Sequence, residues 1–269
     1  MSKYLTGIIA IIITLQISGC DDFNRPQKSA RSICADNPSL CDDLNKGGWC
    51  NDPREALIQA RWQDAQQTTD RNNYLLLDSL NKYQRCIAVI TQIEPIKLKE
   101  RKTERTETLL TINNQIKTLE SQVATKQDPY SLYYRWSQMS DYTARQQFIN
   151  EQNKASMQQD PLLLWALATI YNQSDPQKSL SLMQQALMRY SQQKLLPVGL
   201  LESIVTQYMR LNRYDQAYIW SLVAEQLSNV QVNMNQLDAY QKFEDSQVSQ
   251  FKDQAKLIIK SIKKGVYHP

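Results

Sequence analysis

The chain has 269 residues, 42% hydrophobic and 22% charged, with a formal net charge of +4. That is enough apolar material for one large or two small globular domains, and it excludes a disordered tail. Six glycines and a single histidine, the penultimate residue His268, argue against glycine-rich phosphate loops and against metal or triad chemistry built on histidine.

After Lys3 comes an apolar run from residue 5 to 15, LTGIIAIIITL. It is too short for a membrane span, which needs about 20 residues, and reads as the h-region of a secretory signal. The quartet Ile17-Ser18-Gly19-Cys20 resembles the bacterial lipobox. That resemblance implies a leader at 1–19 and a mature chain that starts at a lipidated Cys20. Asp21 resembles the inner-membrane retention signal of enteric lipoproteins. The expected place is the periplasmic face of the inner membrane, with the outer membrane as the alternative. Several acyl chains on one cysteine anchor stably, and the polar segment 20–32 reads as the tether.

Loss of the leader removes only Lys3, leaving 30 basic and 27 acidic residues. Signs are interleaved, as in 97–107, KLKERKTERTE, which reads as a solvated helix face. Without a basic stripe between aromatics, nucleic acid is not an expected partner.

Beyond Cys20 stand Cys34, Cys41, Cys50 and Cys86, an even set suited to an oxidising compartment. Three connectivities are open; Cys34–Cys41 with Cys50–Cys86 is preferred. No CxxC pair exists, so zinc and redox roles are disfavoured, and no metal or cofactor is expected.

Proline follows an acid at Asp52-Pro53, Glu94-Pro95, Asp128-Pro129, Asp160-Pro161 and Asp175-Pro176. Such pairs start helices, the acid capping free amides and the proline needing no donor. One helix is expected from Pro53, carrying Ala56, Leu57, Ala60 and Trp62, and a second over 74–93. A long one after Pro95 has a seam of Leu109, Ile112, Ile116, Leu119 and Val123, suited to packing within the chain. Strand-like alternation is rare, so the fold class is all-α, and 33–127 is a disulfide-containing helical region.

Over 128–230 a pattern recurs. Leu132 and Trp136, Leu167 and Tyr171, Ile204 and Tyr208 each place an aromatic four residues after a large apolar side chain, the aromatics lying 35 and 37 residues apart. A second helix follows each, with Ala144 and Phe148, Ser179 and Met183, Ala217 and Ser221; Ala186 and Ala224 recur in the last two units. Residues 201–227 resemble a tetratricopeptide repeat and 166–187 a Sel1-like repeat, although Val205 and Ala168 replace the usual glycine and Ser221 an aromatic. The resemblance implies a helix-pair solenoid. The region 231–269 reads as a capping helix over 236–264 and a tail, its Lys256, Lys260, Lys263 and Lys264 complementing the helix dipole.

Over the whole chain, the lipobox, the spacing Cys34-x6-Cys41-x8-Cys50 and the following Arg54 and Arg61 resemble an uncharacterised family of gammaproteobacterial lipoproteins, domain of unknown function 2989. The family implies lineage and compartment, and no activity.

The function expected is a non-catalytic module that binds a protein or peptide on the inner face of its helix pairs. Candidate contact residues are Thr169, Asn172, Ser203, Gln207, Arg210 and Arg213. Trp165, between Leu164 and Leu167, fits either a packed seam or a binding hot spot. The alternative is a cell-wall hydrolase with Glu202 and Asp215, or Glu55 and Asp64, as acid and base. A carrier with a large apolar cavity fits the polar, glutamine-rich helix faces poorly.

Overall fold

A computed structural model describes residues 28–94, 100–193, 196, 197, 199–228, 237 and 239–269. Among them all regular structure is helical. The segment expected as leader, Cys20, Asp21 and most of the segment expected as tether lie outside the described residues.

Ser29 Oγ accepts from the Ser32 amide at 3.1 Å and starts α1 (Ala30–Asp36), inside the segment expected as tether. The bridge Cys34–Cys41 joins α1 to a 3-10 turn at Pro38–Leu40. Helix α2 (Asn51–Gln66) starts from Cys50, so Asp52-Pro53 falls within its first turn rather than before it. Cys50–Cys86 pins that start to α3 (Asp70–Thr91). Both bridges are the pairings preferred from sequence.

Helix α4 (Glu100–Val123) folds back on α3 and uses its apolar seam there: Ile112, Ile116 and Val123 are buried, Leu109 and Leu119 half-buried. Buried Arg105 donates to the carbonyls of Ile90 (3.0 Å) and Ile93 (3.2 Å), adding a charged donor to the end of α3, where Ile90 O also accepts from the Ile93 amide (3.3 Å). The loop from Cys41 to Cys50 has no helix of its own and is held by side chains. Arg54 Nη1 donates to Asn45 O (3.1 Å), Asn45 N donates to the buried Tyr83 hydroxyl (3.0 Å), and Arg61 Nη1 donates to Leu40 O (2.7 Å).

Then come three helix hairpins. Asp128 caps α5 (Pro129–Met139), which pairs with α6 (Tyr142–Asn150). A short α7 (Ala155–Gln159), which periodicity does not announce, leads to α8 (Pro161–Tyr171), capped by Asp160 and paired with α9 (Pro176–Gln192), capped by Asp175. The third pair is α10 (Leu200–Arg210) and α11 (Tyr214–Ser228). The small residues of the repeat pattern sit where the helices meet: Ala144, Ser179, Ala186, Ala217, Ser221 and Ala224 are fully buried. A side chain the size of alanine or serine lets backbones approach, and Leu132, Leu167 and Ile204 fill the space beside them.

The C-terminal helix α12 starts at Asp245, later than expected, and packs on α11 and α9. It buries Phe251, Ala255, Ile259 and Ile262, while Tyr240, expected on the same apolar face, is exposed outside it. Gly265 ends α12 at φ 73°, where a Cβ would stand 3.1 Å from the Ser191 carbonyl at the end of α9. Glycine is needed there both for the left-handed backbone and for the close approach.

Two apolar cores result, one around Ile33, Leu57, Leu80 and Tyr83, the other through the hairpins to Tyr267. A small third cluster of Leu77, Val123 and Tyr134 joins them. There Tyr134 donates to Glu120 Oε1 (2.9 Å) and accepts from Asn81 Nδ2 (2.8 Å).

Candidate functional site

Asp160 organises the place where the two cores meet. Its Oδ1 accepts from the Leu162 amide at 2.7 Å and caps α8; its Oδ2 accepts from Arg71 Nε of α3 at 3.1 Å and from the Tyr130 hydroxyl of α5 at 2.7 Å. One carboxylate therefore fixes the starts of α3, α5 and α8 against one another. Capping and two charge-assisted bonds on a half-buried group make this a stiff joint.

Behind the joint lies a cleft of about 500 Å³. Helix α8 lines it with Leu162, Trp165, Ala166 and Thr169, spaced three and four apart and so on one helical face. Helix α3 adds Tyr74 and Asp78, α5 adds Tyr133, and α9 adds Tyr190. The rings of Tyr74 and Tyr133 lie 5.5 Å apart, and Tyr133 packs on Phe148 at 5.8 Å. Burial pushes the Tyr74, Tyr133 and Tyr190 hydroxyls upward, so these remain neutral. Asp78 is tied to Lys82 at 2.6 Å, one turn along the same helix.

The Trp165 indole Nε1 is buried and, among the described residues, has no hydrogen-bond partner. An indole N–H can only donate, and a buried donor left unmet costs about 1–3 kcal/mol. The ring itself packs against the core of the hairpins. Both fates weighed for this tryptophan thus meet in one side chain, with its apolar body in the seam and its polar tip buried without a partner.

The six contact residues expected from sequence divide. Thr169 is exposed and lines the cleft, its hydroxyl donating to Ala166 O at 2.7 Å. Asn172, Gln207 and Arg210 come together in a joint between α8 and α10. There Gln207 Nε2 donates to Asn172 Oδ1, and Arg210 Nη1 donates to Asn172 O at 3.3 Å. Gln207 is fully buried and is corrected from surface contact to structural link. Ser203 is half-buried and bonds back to Gly199 O at 2.6 Å, while exposed Arg213 lies 5.2 Å from the Tyr208 ring. Tyr74, Tyr133 and Tyr190 carry no local signal for a site, because only the packing of α3 beside α5 and α8 gathers them.

The two acid pairs weighed for a hydrolase are placed differently. Glu55 is exposed and Asp64 half-buried nine residues further along α2, a rise of about 13.5 Å, against the roughly 5–9.5 Å that separates glycosidase carboxyls. Asp215 is exposed, whereas both Glu202 carboxylate oxygens are buried and, among the described residues, without a partner. Among the described residues no group of three or more His, Cys, Asp or Glu gathers as a metal site, and no helix is long and apolar enough to cross a membrane.

Fold and site define a class: an all-helical protein with a disulfide-clamped N-terminal unit, three helix hairpins and a tyrosine-lined cleft where the two meet. The chain belongs to the family described as "Protein of unknown function (DUF2989)", whose profile matches residues 17–222. The match runs from Ile17 into α11 and includes the whole cleft and both disulfides. No curated protein and no solved structure is detectably similar to the chain.

Proposed function

We propose that the chain is a lipoprotein, anchored through Cys20 to the periplasmic face of the inner membrane, that binds an extended protein or peptide segment in the tyrosine-lined cleft without catalysis. The observation that carries this reading is the cleft walled by Tyr74, Tyr133, Trp165 and Tyr190, with the Trp165 N–H buried and, among the described residues, without a partner. The Trp165 N–H has no exposed surface in the free protein, so a backbone carbonyl of a bound segment supplies its acceptor only as the packing around the indole opens on binding; tyrosine and tryptophan offer rigid apolar contact at small entropic cost. The volume of about 500 Å³ lies within the roughly 300–1,000 Å³ of ligand pockets and suits one or two inserted side chains.

Anchoring rests on Ile17-Ser18-Gly19-Cys20 and on the two disulfides, which suit an oxidising compartment. The absence of catalysis rests on the state of the acids near the cleft: Asp78 is held by Lys82 and Asp160 by Arg71, so neither is poised as a free acid or base.

The test is photo-crosslinking in intact cells from a reactive side chain at position 169, with position 252 on the exposed side of α12 as control. The expected result is capture of a defined polypeptide from 169, not from 252, reduced about tenfold by Trp165→Phe, which keeps the ring packing and deletes the donor bond. Equal capture from both positions, or capture indifferent to Trp165→Phe, contradicts the reading. Cys20→Ser, measured by fractionation, is expected to release the chain from the membrane.

A further inference from the structure

A second cleft lies in the other half of the molecule, between α2, α3 and α4, with a volume of about 620 Å³. Its walls are leucine rather than tyrosine: Leu40 from the 3-10 turn, Leu76 and Leu80 from α3, and Leu119 from α4. Three ionisable residues line it, Asp43, Arg61 and Asp64.

Two of the three are spent on each other. Arg61 Nη1 and Nη2 donate to Asp43 Oδ1 and Oδ2 at 2.7 and 2.8 Å, Nη2 donates also to Gln115 Oε1 at 2.8 Å, and Gln115 Nε2 returns to Asp43 Oδ2 at 2.9 Å. This closed set offers a ligand no net charge. Asp64 stands one turn beyond Arg61 on α2. Its Oδ1 is buried without a partner, and among the described residues its carboxylate makes no hydrogen bond or ion pair. The cation that acts on it from outside the cleft is Lys126, whose ammonium is already engaged by Asp70 Oδ1 at 2.8 Å. The residues that α3 and α4 contribute to the cleft are uncharged, Thr111 and Asn114 among them.

We infer that this cleft is a binding site for a small organic cation with an apolar body, its ammonium group on Asp64 and its hydrocarbon part against the leucines. The charge of the lining is that of one carboxylate, so an anion is repelled and a neutral ligand leaves Asp64 unmet. The inference stands apart from the peptide-binding reading, since the two clefts share no residue.

The probe is hexylammonium, titrated calorimetrically into the detergent-solubilised full-length mature protein, with hexanol and hexanoate as neutral and anionic counterparts of equal length. Hexylammonium is expected to bind saturably, and Asp64→Asn to weaken it by about tenfold or more while hexanol binding is unchanged. In the wild type, binding is expected to weaken from pH 7 to about pH 4, because burial raises the Asp64 carboxyl and the ammonium stays charged throughout. This second readout keeps the test decisive if Asp64→Asn does not fold. Hexanol binding as tightly as hexylammonium, pH-independent binding, or no saturation below about 10 mM overturns the inference.

Discussion

At the scale of single residues, two carboxylates on one cleft are driven in opposite directions. Burial alone would raise Asp43, but the bonds and charge of Arg61, with the bond from Gln115, hold its carboxyl below the ordinary value. Asp64, with no such partner, is raised by burial, and the charge of Lys126 offsets only part of that. A lowered carboxyl stabilises the fold above the ordinary carboxylate range, and that contribution is lost as pH falls through the folded value; a raised one acts in the reverse sense. Arg61→Ala strands Asp43 and is expected to cost about 3 kcal/mol at pH 7, the low end for a buried pair, because Asp43 retains some exposure. Denaturant titration checks this, and the gap to wild type should close only as pH falls below the lowered folded value of Asp43, where its carboxyl is protonated in both proteins. A gap that persists in acid would mean that Arg61 acts through packing.

At the scale of elements, what could be read from the sequence was what local chemistry decides. Asp128, Asp160 and Asp175 cap the helices their prolines begin, and the alanines and serines of the repeat pattern lie where hairpin helices touch. The α4 seam is satisfied by α3, as its short length suggested. Short α7 and the late start of α12 were not legible, because five residues carry no periodicity and Leu237 is buried outside the helix it seemed to begin. The site was legible only in fragments. Trp165 and Thr169 stand on a helix that the pattern identified, but their opposite wall comes from α3, nearly a hundred residues earlier, and sequence periodicity holds no record of that approach. Gln207 reads as a surface amide because it is a polar position on the first helix of its pair, yet its partner Asn172 is 35 residues away.

The disulfides belong to the same scale. Cys34–Cys41 spans 7 positions and Cys50–Cys86 spans 36, so chain entropy assigns them about 2.5 and 4 kcal/mol. Replacing Cys50 and Cys86 by alanine should cost more than replacing Cys34 and Cys41, and should free the start of α2 from α3. Equilibrium unfolding of the two double variants tests the order; equal losses would contradict the loop-length argument.

At the scale of the whole molecule, two cores meet through a small apolar cluster and the Asp160 joint. The joint couples residues 89 positions apart in the chain. Asp160→Asn keeps a side chain able to cap α8 while removing the charge that Arg71 and Tyr130 contact. Hydrogen exchange should therefore quicken at the start of α3 as well as at α5 and α8. Quickening in α8 alone would show that the halves are held without the joint. The proposed binding cleft lies at this junction, so a bound segment touching α3 and α8 would also clamp the halves together.

The most direct measurement is the indole N–H spectrum of the protein labelled at its five tryptophans, with Trp165 assigned by Trp165→Phe. Tryptic peptides from the cell envelope are then titrated in. If the cleft binds extended segments, the Trp165 resonance moves downfield as its N–H acquires an acceptor, while those of exposed Trp49 and of Trp62 on α2 stay in place. If peptides bind and the Trp165 resonance does not move, the cleft is not where this protein holds its partner.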